Sequence, residues 1–170
     1  AVFLAPAYGL FEASYRFFKS QELDKAEARL TLYTNAVEAE LENFAHLPFL
    51  LSLDPVVTRT LAGSDPDALN KRLARIAQSA GVDAIYLMDA SGLTIAASNA
   101  RSSNSFVGQN YGYRPYFRSA QRGELGEFYG IGATTGIPGY FYAMAVRVPG
   151  GGPSGVIAIK LDLAGLQNAW

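Results

Sequence analysis

The chain has 170 residues, 49% hydrophobic and 17% charged, which allows one ordinary core plus an extension and is too apolar for a disordered chain. It has no cysteine, so disulfides, thiolate zinc sites and cysteine nucleophiles are excluded together, and its single histidine, His46, excludes a multi-histidine metal site. The net charge of −1 does not suggest a nucleic-acid partner, yet residues 1–89 hold eight basic and twelve acidic residues while residues 90–161 hold six basic residues against only Glu124 and Glu127.

The first eleven residues, AVFLAPAYGLF, carry no charge. No run reaches the roughly 18 apolar residues of a membrane-spanning helix, and no signal peptide with a cleavage site is visible. This start reads equally as the outer end of a spanning helix or as a hydrophobic helix start packed on the domain. From Leu10 to about Leu47 there is neither glycine nor proline, and Leu23, Leu30, Val37 and Phe44 recur at heptad spacing. That pattern predicts a long amphipathic helix ending near Pro48, with a stripe narrow enough to pair with a second helix or to lie along its own domain.

Shorter helices are expected near 54–61 and 66–80, opened by Asp54-Pro55 and Asp65-Pro66, and the second is closed by Gly81. Asp83–Asp89 and Leu93–Ser98 flank Ala90-Ser91-Gly92 and read as a hairpin. A polar loop over 99–113 leads to a helix starting at Arg114-Pro115. Strands follow at Glu127–Ile131, Tyr140–Val148 and Gly155–Leu163, and residues 164–170 look like the start of an exit helix. The order suits an α+β fold: a long N-terminal helix followed by a PAS-like domain with a five-stranded antiparallel sheet flanked by helices. The expected division is 1–50 for the signalling and dimerisation helix, 51–163 for the sensor domain, and 164–170 for the exit helix towards a membrane-proximal domain.

Four motifs stand out: Ala97-Ser98-Asn99, YRPYF at 113–117, GIGATTG at 130–136 and PGYFY at 138–142. Together and in this order they resemble the membrane-distal periplasmic (PDC/Cache) domain of the C4-dicarboxylate sensor histidine kinases, over roughly residues 20–170. The resemblance implies a periplasmic domain of a bacterial inner-membrane receptor, with a kinase core and a cytoplasmic response regulator outside the residues present here. It implies succinate, fumarate or malate as ligand. Relatives for other small acids, namely 2-oxo acids, monoacids or amino acids, share much of the pattern.

The residues themselves point the same way, because a dicarboxylate needs cationic or neutral donors at both ends of a small, partly desolvated pocket. Arg114, beside the rigid Pro115, can grip one carboxylate with two parallel bonds, and Tyr113 and Tyr116 can add hydroxyl donors and ring walls. The loop at 130–136 can bring backbone N–H groups and the hydroxyls of Thr134 and Thr135 close to an anion, and it resembles the family's second-carboxylate clamp. It is not a nucleotide fingerprint, since no GxGxxG precedes an amphipathic helix. Lys160, in VIAIKLDL, shares a face with Val156, Ala158 and Asp162; it reads as the other positive end of the ligand site, as an ion pair with Asp162, or as a solvent-facing lysine. The resemblance favours the first, because dicarboxylate sensors of the family carry lysine in this strand. Tyr142 and Ser98 are candidates through their places in the motifs. No cofactor, metal or catalytic constellation is expected: there is no G-x-S-x-G elbow and no Walker or kinase nucleotide motif.

Overall fold

A computed structural model of the chain describes residues 4–148, 151 and 153–162. The chain divides into two compact units, Ala1–Asn43 and Phe44–Trp170. Helix α1, Leu4–Ala45, accounts for the first unit and the opening residues of the second. It starts ahead of the expected Leu10, since neither Pro6 in its first turn nor Gly9 stops it. Among the described residues, no helix is long and apolar enough to cross a membrane.

The rest follows the predicted order. Helix α2, Leu47–Ser52, was not foreseen: Pro48 does not end helical structure but sits in the first turn of a new helix, where its missing N–H has no partner to lose. Helix α3, Pro55–Leu61, is capped by Asp54, whose carboxylate accepts from the Val56 N–H at 2.9 Å. Helix α4, Asp67–Ala80, is preceded by Asp65, which accepts from the Asp67 N–H, and ends at Gly81 with φ 70°, a left-handed conformation that glycine adopts without strain. Strands β1, Ala84–Asp89, and β2, Thr94–Ala97, form the hairpin. Helix α5, Pro115–Gln121, is followed by β3, Gly126–Ile131, β4, Pro138–Arg147, and β5, Pro153–Asp162. The exit helix expected over 164–170 lies outside the described residues.

The strands make the single five-stranded antiparallel sheet that the sequence pattern predicted, and their spatial order is β2-β1-β5-β4-β3. The last described strand, β5, therefore lies in the middle, and its residues 155–161 are buried on both faces. Period-two alternation sorts the sheet. On one face Ala84, Tyr86, Met88, Phe141, Ala143, Val156 and Ala158 pack with Phe117 and Ala120 of α5 and with Phe106 and Tyr111 of the 99–113 loop. Small alanines in the centre of that face leave space that aromatic side chains from the covering loop fill. The opposite face carries Ile85, Leu87, Ile157 and Ile159, all fully buried, under the helices α2, α3 and α4.

The covering loop is not loose. Asn99 spans it, donating to the Asn104 carbonyl at 2.9 Å and accepting from the Phe106 N–H at 3.2 Å. Further on it bonds back to β2 through Thr94, whose N–H donates to the Gln109 carbonyl at 2.8 Å and whose carbonyl accepts from the Gly108 N–H at 2.9 Å. These bonds fix Phe106 and Tyr111 over the sheet.

Candidate functional site

Between the sheet and its covering loops lies a small cavity walled by Tyr86, Phe106, Tyr111, Tyr116 and Phe141, with Arg114, Thr134 and Lys160 supplying its charge and polarity. Its volume is about 10 Å³, room for about one water.

Arg114 occupies the N-cap position of α5, in the extended conformation (φ −70°, ψ 142°) that a residue before proline prefers. Its guanidinium lies 5.2 Å from the Tyr113 ring centroid and 5.7 Å from that of Phe128, and one of its N–H groups donates to the Ile131 carbonyl at 3.0 Å. Two rings and one backbone carbonyl thus hold the planar fork in place, and a guanidinium has donors to spare for a carboxylate.

The tyrosines form the hydroxyl wall. Tyr116 stacks on Phe141, with centroids 5.3 Å apart and planes 4° from parallel, and its hydroxyl accepts from that of Tyr86 at 2.8 Å. Tyr86 packs edge-on against Phe106 and Tyr111. Burial pushes the Tyr86 phenol well above its ordinary value, with the neighbouring Tyr116 adding to the shift; burial also raises Tyr116 and Tyr111. All three therefore stay protonated at neutral pH, so they act as donors and not as anions that would repel an acid.

Tyr111 also closes the site. Its hydroxyl bonds the Thr134 hydroxyl, joining the 99–113 loop to the glycine-rich turn between β3 and β4. That turn is held by the Gly132 N–H donating to the Ile137 carbonyl at 3.0 Å and the Gly136 N–H donating to the Gly132 carbonyl at 2.8 Å.

Lys160 comes from central β5, opposite Ala84 and Phe141, and is 1% exposed. Its aliphatic stem is accommodated because residues 132 and 139 are glycines: a Cβ on Gly139 would lie 3.0 Å from the lysine Cε, and one on Gly132 would lie 3.4 Å from it. Its ammonium donates to the carboxylate of Asp83, which precedes β1 and is 36% exposed. The lysine is thus not directed to solvent, and the counter-ion found is Asp83.

Of the residues singled out from sequence, Arg114, Tyr116, Thr134 and Lys160 line the cavity together. The other four stand apart from its wall. Tyr113 is 55% exposed and contributes its ring to the back of Arg114. Thr135 accepts from the Ile137 N–H within its own turn. Tyr142 is paired with Ile159 and Glu127, which puts it on the opposite face of the sheet; its neighbour Phe141 faces the cavity instead. Ser98 continues the β1–β2 pairing, its hydroxyl accepting from the Ile85 N–H at 2.9 Å. Sequence reasoning missed Tyr86, Phe106, Tyr111 and Phe141 as wall residues, and Asp83 as the partner of Lys160. For Tyr86 and Phe141 the available signal was the period-two alternation in AIYLMD and GYFYAMA; Phe106, Tyr111 and Asp83 lie outside those segments.

No family model matches the chain. Over its full length it is 34% identical to the C4-dicarboxylate transport sensor protein DctB of Pseudomonas aeruginosa, and over 98% of its length 34% identical to the protein of the same name from Rhizobium meliloti. It spans 28% and 26% of those proteins. Among solved structures, the sensor domain of the Vibrio cholerae histidine kinase DctB superposes with a TM-score of 0.81 at 31% identity, over 87% of this chain and 58% of that one. In sequence and architecture, the chain is thus similar to part of the C4-dicarboxylate transport sensor proteins and to the sensor domain of a histidine kinase of that name.

Proposed function

We propose that the domain binds a C4-dicarboxylate, succinate, fumarate or malate, with one carboxylate on Arg114 and the other on Thr134 and Lys160, and that the whole protein is a sensor histidine kinase. The observation that carries this reading is one cavity walled by aromatic rings into which two cations, from α5 and from β5, both face. The names of the relatives support the same ligand class and the same parent. Tyr116 and Tyr86 add neutral donors, and Thr135, Tyr113, Tyr142 and Ser98 support the loops, rings and strands that hold the contact residues. The cavity holds only about one water as it stands. A diacid therefore binds by parting the loops and reclosing them around itself, which supplies the difference between empty and occupied states that signalling needs.

Transmission runs through the helices. Leu30 and Val37 of α1 are 67% and 38% exposed at heptad spacing, which supports pairing of α1 with that of a second copy. The output is phosphorylation of a cytoplasmic response regulator by the kinase core. Calorimetry of the purified chain against a panel of diacids, monoacids, 2-oxo acids and amino acids tests the ligand. Saturable binding of a diacid is expected, with Arg114→Ala weakening it about a hundredfold or more. Lys160→Ala is expected to lose diacid affinity while monoacid affinity holds. Tight binding of an amino acid in preference to every diacid refutes the reading.

A further inference from the structure

Asp83 is tied twice to the central strand: its N–H donates to the Lys160 carbonyl at 3.0 Å, and its carboxylate accepts from the Lys160 ammonium. The pair is lopsided, with the lysine side chain 1% exposed and the aspartate 36%. A buried ammonium without a counter-ion is costly, so in the empty domain Asp83 is what allows a charged Lys160 to sit there. Two cations face the cavity and one carboxylate is already bound to one of them, which leaves the set at net +1. A monocarboxylate balances that charge. A dicarboxylate exceeds it by one unless Asp83 lets go, and its exposure gives the released carboxylate water to turn to.

Resting on the reading of this cavity as a dicarboxylate site, we propose that Asp83 is a resident competitor for the Lys160 ammonium, displaced by the ligand's second carboxylate. The exchange makes selectivity for doubly charged acids a matter of charge replacement. A monoacid held by Arg114 has no second carboxylate to take the place of Asp83, so the empty-state pair stays intact. The same competition holds down diacid affinity, keeping occupancy reversible.

The test is calorimetric titration of wild-type and Asp83→Asn chains with succinate and with butyrate. Succinate is expected to bind about tenfold tighter to the variant, the scale of one charge-assisted hydrogen bond no longer contested, with butyrate unchanged. Unchanged or weaker succinate binding to the variant overturns the exchange, and weakening would make Asp83 a residue that positions Lys160. Wild-type protein that binds neither acid overturns the ligand reading and the exchange with it, so the two failures are distinct. Should Asp83→Asn not fold, a crystal structure of wild-type protein with succinate decides. A ligand oxygen is expected on Lys160 where the Asp83 carboxylate was, and an intact Asp83–Lys160 bond beside bound succinate refutes the proposal.

Discussion

Removing the two ends of the Asp83–Lys160 pair should have unequal effects on stability, because the ends differ in their access to water. In Lys160→Met an unbranched apolar chain of similar reach replaces the stem between Gly132 and Gly139, and Asp83, with 36% of its side chain exposed, keeps much of its hydration. Replacing a buried charge by a well-packed apolar group is commonly neutral or stabilising, so this variant should stay within about 1 kcal/mol of wild type. Asp83→Asn instead leaves an ammonium that is 1% exposed facing only a neutral carbonyl acceptor. Stranding a buried charge costs roughly 3–5 kcal/mol, and the remaining amide oxygen offsets part of that, which puts the expected loss at about 2 kcal/mol. At roughly 3 °C per kcal/mol for a domain of this size, Asp83→Asn should melt about 6 °C below wild type and Lys160→Met within about 3 °C of it. Thermal unfolding of ligand-free protein followed by far-UV circular dichroism measures both. A Lys160→Met variant that falls as far as Asp83→Asn refutes the reasoning.

Other perturbations probe the surroundings of the same cavity. In Gly139→Ala the new Cβ lies 2.9 Å from the Leu161 carbonyl oxygen and 3.0 Å from the Lys160 Cε, so the lysine stem must shift; urea unfolding should show a loss of about 1–3 kcal/mol, with weaker diacid binding. Tyr111→Phe removes the hydroxyl that bonds Thr134; amide exchange over residues 132–137 should quicken while overall stability falls by only about 1 kcal/mol, and unchanged exchange there contradicts a bracing role. Burial raises Tyr86, Tyr111 and Tyr116 above the ordinary 10.0. Above that pH the unfolded chain gives up protons that the native one keeps, so these groups leave stability flat below about pH 10 and lower it progressively above. Tyr86→Phe should make the alkaline fall of the urea midpoint shallower.

The order of elements was legible because it rests on local signals. Asp54 before Pro55, Gly81 after a helical run, and Arg114 before Pro115 each act within a few residues of themselves, and each sits where those signals put it. Arg114 and Lys160 were legible as site candidates because a cation beside a proline-fixed turn, or inside an otherwise apolar strand, demands an explanation. What stayed hidden is non-local. The Lys160–Asp83 bond joins positions 77 apart in the chain, and no spacing rule singles out that aspartate over Asp162. The choice between Phe141 and Tyr142 depends on which face of β4 looks at α5, which alternation alone leaves undecided until the register with β5 is known. Pro48 was misread because proline marks helix starts as well as stops, and only the capping geometry separates the two uses.

The bond between Tyr111 and Thr134 also bears on timing. On the proposed ligand reading, with the rim fastened and interior room for about one water, an arriving acid would collide mostly with a shut surface, and the productive collision frequency would be scaled by the fraction of molecules whose rim stands apart. Capture would thereby be slower than free diffusion permits, and a captured molecule would be detained until the rim parts again. A sensor of the proposed kind, built in this way, would average over brief fluctuations in its surroundings and respond to supplies that persist.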